Sequence, residues 1–126
     1  MMSIWLVGVG GLVGSMARYS MGMWMQSVLG NSSVPYGTVT VNVVGCFLIG
    51  LLAGLAETRQ FFGEATRAFV IVGLLGGFTT FSAFGYETLA LVRDGHAVAA
   101  AANVGIHVGF GLVAVWIGFS ISQQYS

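Results

Sequence analysis

Residues 76 to 84 read Gly-Gly-Phe-Thr-Thr-Phe-Ser-Ala-Phe, placing hydroxyls, aromatic rings and paired glycines together inside an otherwise apolar run. In a helix interior each glycine costs about 1 kcal/mol relative to Ala, and adjacent threonines add β-branched stiffness and hydroxyls that compete for the backbone. The stretch is therefore expected to break a membrane-spanning helix near residues 76–80. Peptide groups freed at membrane depth cost several kcal/mol unless protein or a watery cavity covers them. A break of this kind is expected to line a binding site or pathway. Phe81 and Phe84 share a helical face, which ordinarily means packing. Beside a break they can instead present ring edges, the positive part of the aromatic quadrupole.

Other polar residues sit at helical spacing within apolar runs. Thr38, Asn42 and Cys46 lie four apart and share one face. A mid-span Asn must hydrogen-bond a neighbouring helix or face water; interhelix glue is the plainer account, and Cys46 reads as a small packing residue. Asn103 and His107 form a second such face, with Gly111 next in line. His107 is a proton relay or ligand on one reading and a hydrogen-bonded interface histidine on the other. Arg18 is costly in a span and faces a cavity, a neighbour or the interface. Glu87 is placed near a span end, where an arginine is its expected partner.

The elements that must position these groups are membrane helices. Of 126 residues, 56% are hydrophobic and 6% charged, against roughly 25% charged in soluble chains. Spans of about 20 apolar residues are expected at 4–24, 36–56, 65–91 and 97–121, making one all-α, four-span domain. The third is too long for one straight crossing, which the break would explain. Polar connections are expected from Gln26 to Tyr36, with Pro35 at a helix start, and from Glu57 to Arg67. Gly10-x-x-x-Gly14 and Gly50-x-x-x-Gly54 are close-packing signals. With zero net charge and no basic run, nucleic acid is excluded as a partner. The single cysteine rules out an internal disulfide.

Orientation follows the Lys/Arg bias of short loops. Four spans put Arg59 and Arg67 on one side and Arg18 and Arg93 on the other, and those four are all the basic residues. The balance implies insertion in both orientations, and so few helices cannot enclose a pathway alone. An antiparallel dimer of oppositely inserted copies is expected.

Several of these motifs resemble the Fluc (CrcB) fluoride channels: Gly10-x-x-x-Gly14-x-x-x-Arg18-Tyr19, Thr38-x-x-x-Asn42-x-x-Gly45, the 76–84 segment with Glu87, and Asn103. The GGFTTFS segment is the specific part. The resemblance implies a small four-span protein forming an antiparallel dual-topology homodimer with two pores in the bacterial inner membrane. It implies that Phe81 and Phe84 line the fluoride path by their ring edges, that Asn42 donates to the anion, and that Thr38 supplies a hydroxyl one turn away. Ser82 would belong to a polar track along the third span, Asn103 and His107 to the fluoride pathway, and Arg18 to an aqueous vestibule. Carbonyls of Gly76 and Thr79 from both copies would hold a central structural sodium ion. Two positions depart from the family pattern: Ala83 stands where threonine is common, and His107 where serine is. Histidine ordinarily titrates near about 6.5, so a pore-lining His107 would make flux change between mildly acidic and neutral pH.

Two other readings compete. A small proton-coupled multidrug exporter needs a membrane-embedded carboxylate, for which Glu87 is the sole candidate. A non-transporting assembly subunit would use the polar faces as glue but leaves the hydroxyl-and-phenylalanine break without a purpose. An enzyme is not expected, since the chain has no paired carboxylates, nucleophile–base set or metal cluster.

Overall fold

The computed structural model describes residues 2–29, 35–59 and 63–124, and every regular element in them is helical. Helix α1 (Met2–Leu29) is followed by α2 (Tyr36–Arg59). The third apolar region holds α3 (Glu64–Arg67), a π-helical segment (Ala68–Leu75), α4 (Gly76–Phe78) and α5 (Phe81–Arg93). Helix α6 (Ala97–Gln124) comes after a tight turn. In that turn Gly95 adopts φ +82°, and the His96 N–H reaches back to the Leu91 carbonyl at 2.8 Å. This is the left-handed helix ending that glycine favours.

Tyr36–Ala56, Glu64–Arg93 and Ala97–Gln124 are long and apolar enough to cross a membrane. Helix α1 is 28 residues long and carries Arg18. Two pairings dominate the packing: α2 against α6, and α1 against the π-helical segment. Helix α5 then lies against α6.

Backbone proximity, rather than bulky side chains, holds these pairs together. The core is built of small and medium residues such as Val41, Ala56, Ala68, Ala100 and Ala114. Where lipid is as apolar as Leu, close backbone approach is the main source of helix association. A Cβ on Gly77 would stand 2.7 Å from the Gly11 carbonyl oxygen, so that crossing of α4 and α1 requires glycine. The larger apolar side chains point outward: Trp5, Leu12, Trp24, Phe110 and Trp116 are exposed, a pattern suited to lipid or another chain.

Three expectations need correction. The turn after the first span does not begin at Gln26, because α1 continues to Leu29; the polar residues Asn31, Ser32 and Ser33 lie outside the described residues. The Glu57–Arg67 connection is shorter than expected, with α2 reaching Arg59 and helix resuming at Glu64. Most consequentially, the paired glycines are helical: Gly76 has φ −61° and ψ −42°. Close packing of Gly77 on α1 outweighs the weak helix propensity of the pair, and the break, inside the expected 76–80 stretch, falls on its threonines instead.

Candidate ion pathway at the helix break

The break consists of Thr79 (φ −94°, ψ 161°) and Thr80 (φ −153°, ψ 119°), both extended. Each threonine closes one helix end. Thr79 turns its hydroxyl onto the Leu75 carbonyl at 3.1 Å, which its own N–H also reaches at 3.0 Å. The Thr80 hydroxyl oxygen accepts the Ala83 N–H at 3.1 Å and so caps α5. Threonine at this position satisfies a donor that a helix start leaves open.

The remaining backbone groups of Thr80 are held by Asn42 of α2. Its amide nitrogen donates to the Thr80 carbonyl and its amide oxygen accepts the Thr80 N–H, both at 2.9 Å. In a continuous helix that N–H would donate to the Gly76 carbonyl, which is left without its helical partner. The Arg18 Nε–H donates to the Gly77 carbonyl at 3.0 Å. A cation at the α4 C-terminus also opposes the negative end of the local helix dipole.

Two recesses flank this clamp, and Thr80 lines both. The larger, of about 430 Å³, is bordered by Asn42, Cys46, Thr79, Phe81, Phe84 and His107. The smaller, of about 300 Å³, is bordered by Arg18, Thr38 and Glu87. Within the larger recess the Phe81 and Phe84 rings are 5.5 Å apart at a 54° tilt. Phe84 in turn meets His107 at 4.3 Å and 45°. Phe81 is 82% exposed, an aromatic ring at the break with little of this chain covering it.

The structure thus brings together Asn42, Thr79, Phe81, Phe84 and His107 on one side of the clamp, and Arg18 and Thr38 on the other. Gly76 borders the larger recess as well. Ser82 lies outside both linings; its hydroxyl is 3.3 Å from that of Thr80. Asn103 is fully buried behind Phe84 rather than beside the recess. Its amide donates to the Thr88 hydroxyl at 2.9 Å, and Thr88 donates to the Phe84 carbonyl at 2.7 Å. Glu87 is not paired with an arginine among the described residues; its Oε1 accepts from the Thr38 hydroxyl. The two residues are 49 positions apart in the chain, and only the folded α2–α5 contact reveals the pairing.

Comparison with known proteins places this geometry in a family. The model described as "CrcB-like protein, Camphor Resistance (CrcB)" matches residues 5–119. The chain belongs to the CrcB-like family. A relative from Methylobacillus flagellatus, named fluoride-specific ion channel FluC, is 43% identical over 124 residues, covering 98% of this chain and 97% of its own. One from Rhizobium etli with the same name is 44% identical over 119 residues, covering 94% of each chain. A Methanosarcina barkeri relative, fluoride-specific ion channel FluC 3, is 39% identical over 126 residues, covering all of this chain and 94% of its own. Neither an exporter nor an assembly subunit finds support in these names.

In this CrcB-like chain two site residues escaped sequence reasoning. Thr80 was visible within the motif, and a Thr three residues before a capped N–H is a recognisable helix start. Thr88 lies one turn beyond Phe84, and that spacing was its only signal.

Proposed function

We propose that the chain is a subunit of a passive fluoride-selective channel that exports fluoride from the cytoplasm across the bacterial inner membrane. The observation that carries this reading is the Asn42-clamped break opening onto Phe81, Phe84 and His107. Fluoride is small and strongly hydrated, so a path must replace its water with donors while binding weakly enough to release. Asn42 spends one amide hydrogen on Thr80, and its second is free to face the recess. The ring edges of Phe81 and Phe84 add weakly positive surface without a competing acceptor. Arg18 attracts the anion on the far side of the clamp, and Thr38 offers it a hydroxyl hydrogen once that hydrogen leaves Glu87 Oε1. Ser82 extends the hydroxyl track from Thr80, and Asn103 fixes Phe84 through Thr88.

The reading includes four spans, α1 being the fourth, and a homodimer of antiparallel copies. The exposure of Phe81 and the open larger recess support a second copy that covers them. Two copies facing one another would give two paths. The carbonyls of Gly76 and Thr79 fit a hard cation, since breaking the helix removes the Gly76 carbonyl's ordinary partner. A sodium ion held by these carbonyls from both copies would supply fixed positive charge at the dimer centre. Export needs no other energy source, because an interior-negative membrane favours outward movement by roughly 2.3 kcal/mol per charge per 100 mV.

Fluoride and chloride release from liposomes containing the purified protein tests the proposal. Fast fluoride release without chloride release, abolished by Phe81→Ile, is the expected result. Equal release of both ions, or none from folded protein, would refute it. Labelling of single cysteines at Ser3 and Ser126 in intact cells should reach each site from both sides.

A further inference from the structure

His107 has the geometry of a donor that works only when protonated. Its Nδ1 lies 3.0 Å from the Asn103 carbonyl oxygen, an atom that can only accept. Nδ1 therefore carries the proton in the neutral ring, and Nε2 is a bare lone pair. That Nε2 is buried and has no hydrogen-bond partner among the described residues. A buried nitrogen left open in this way has a reason or a ligand. The ring borders the larger recess and packs on Phe84 at 4.3 Å, so it stands beside the rings of the proposed path.

Fluoride only accepts hydrogen bonds. A bare Nε2 offers it nothing and repels it through the lone pair, whereas Nε2–H⁺ offers both a donor and a charge. We propose that His107 is a proton-dependent fluoride-binding residue, and that flux rises as its Nε2 gains a proton. This rests on the fluoride-channel reading.

Few other groups compete for that control. Among the described residues of α2, Cys46 is the one titratable side chain at the recess. The π-helical segment contributes Ile71 and Leu75, which do not titrate. On α5 the recess is lined by Phe81 and Phe84, which do not titrate, while Glu87 and Arg18 border the other recess. Asn103 holds the ring's tautomer through its carbonyl and adds no charge.

The test is fluoride efflux from proteoliposomes with equal pH on both sides, at pH 5.5 and 7.5, after subtracting protein-free vesicles to remove leak of the undissociated acid. Histidine changes charge between about pH 5 and 8, so wild-type efflux should be about tenfold faster at the lower pH. His107→Asn, which carries an amide donor at every pH, should show no such change. An equal pH response in His107→Asn, or a flat or inverse response in the wild type, overturns the proposal while leaving the channel standing. No release by either protein at either pH overturns both. Folding of the variant is bypassed by ¹⁵N NMR of the His107 ring in a His96→Gln background, which leaves one histidine. Fluoride, unlike chloride, should raise the pH at which Nε2 protonates, because binding and protonation are reciprocally linked. An unmoved midpoint overturns the proposal.

Discussion

Asn42→Ala is the perturbation whose outcome the geometry determines most closely. It deletes both hydrogen bonds to Thr80, each 2.9 Å long. A net hydrogen bond is worth about 1 kcal/mol, and between membrane helices the average is nearer about 0.6. Two bonds therefore account for about 1–2 kcal/mol. A backbone donor and acceptor left facing each other's absence adds more, at about 1–3 kcal/mol for a dry group. Thr80 borders two recesses, so water relieves part of that penalty. The expected loss is about 2 kcal/mol, confined to the break. Because every 1.4 kcal/mol is about tenfold in an equilibrium constant, the Thr80 amide should exchange hydrogen about 30-fold faster in the variant. Amides deep in α2 and α6 should keep wild-type rates. Fluoride efflux should fall with the loss of protection, since the clamp also aims the free amide hydrogen. Asn42→Leu restores bulk without either bond and should behave like Asn42→Ala. Thr80 exchange within twofold of wild type in both variants would refute the clamp.

Thr80→Ala should destabilise α5 by about 1 kcal/mol through loss of its cap, with Thr80→Ser close to wild type, as read by thermal unfolding in lipid micelles. Gly77→Ala forces a Cβ to within 2.7 Å of the Gly11 carbonyl oxygen and should cost about 1–3 kcal/mol by the same measurement. Gly85→Ala, with open space around it, should have little effect. Thr38→Val removes the donor to Glu87 Oε1 and should slow fluoride efflux, while Thr38→Ser preserves it.

Much of the site was legible because polar residues stand out in an apolar chain. Thr38 and Asn42 share a face by spacing alone, and the break was expected at 76–80, which contains its observed place at Thr79 and Thr80. Its cause was misassigned. Glycine is the weaker helix former, yet Gly77 is needed where α4 crosses Gly11, and that crossing keeps it helical. The helix breaks at the threonines instead because Asn42 takes both backbone groups of Thr80 and the Thr80 hydroxyl caps α5. The wide turns of Ala68–Leu75 had no local signal, nor did the close approach of Gly73 to the α1 backbone, where a Cβ would stand 2.8 Å from the Val7 carbonyl. The Glu87 partner was also out of reach, since charge complementarity points to arginine while the α2–α5 contact supplies Thr38. Asn103 was legible as a polar residue in an apolar span, but its burial and its bond to Thr88 were not.

The central claim is tested most directly by the reversal potential of the purified protein in a planar bilayer, with a tenfold fluoride gradient opposed by a chloride gradient. A fluoride-selective passive channel predicts reversal near the fluoride equilibrium potential, about 59 mV for a one-electron-equivalent charge per decade. Reversal at the chloride potential, or a current that follows the proton gradient, would contradict it.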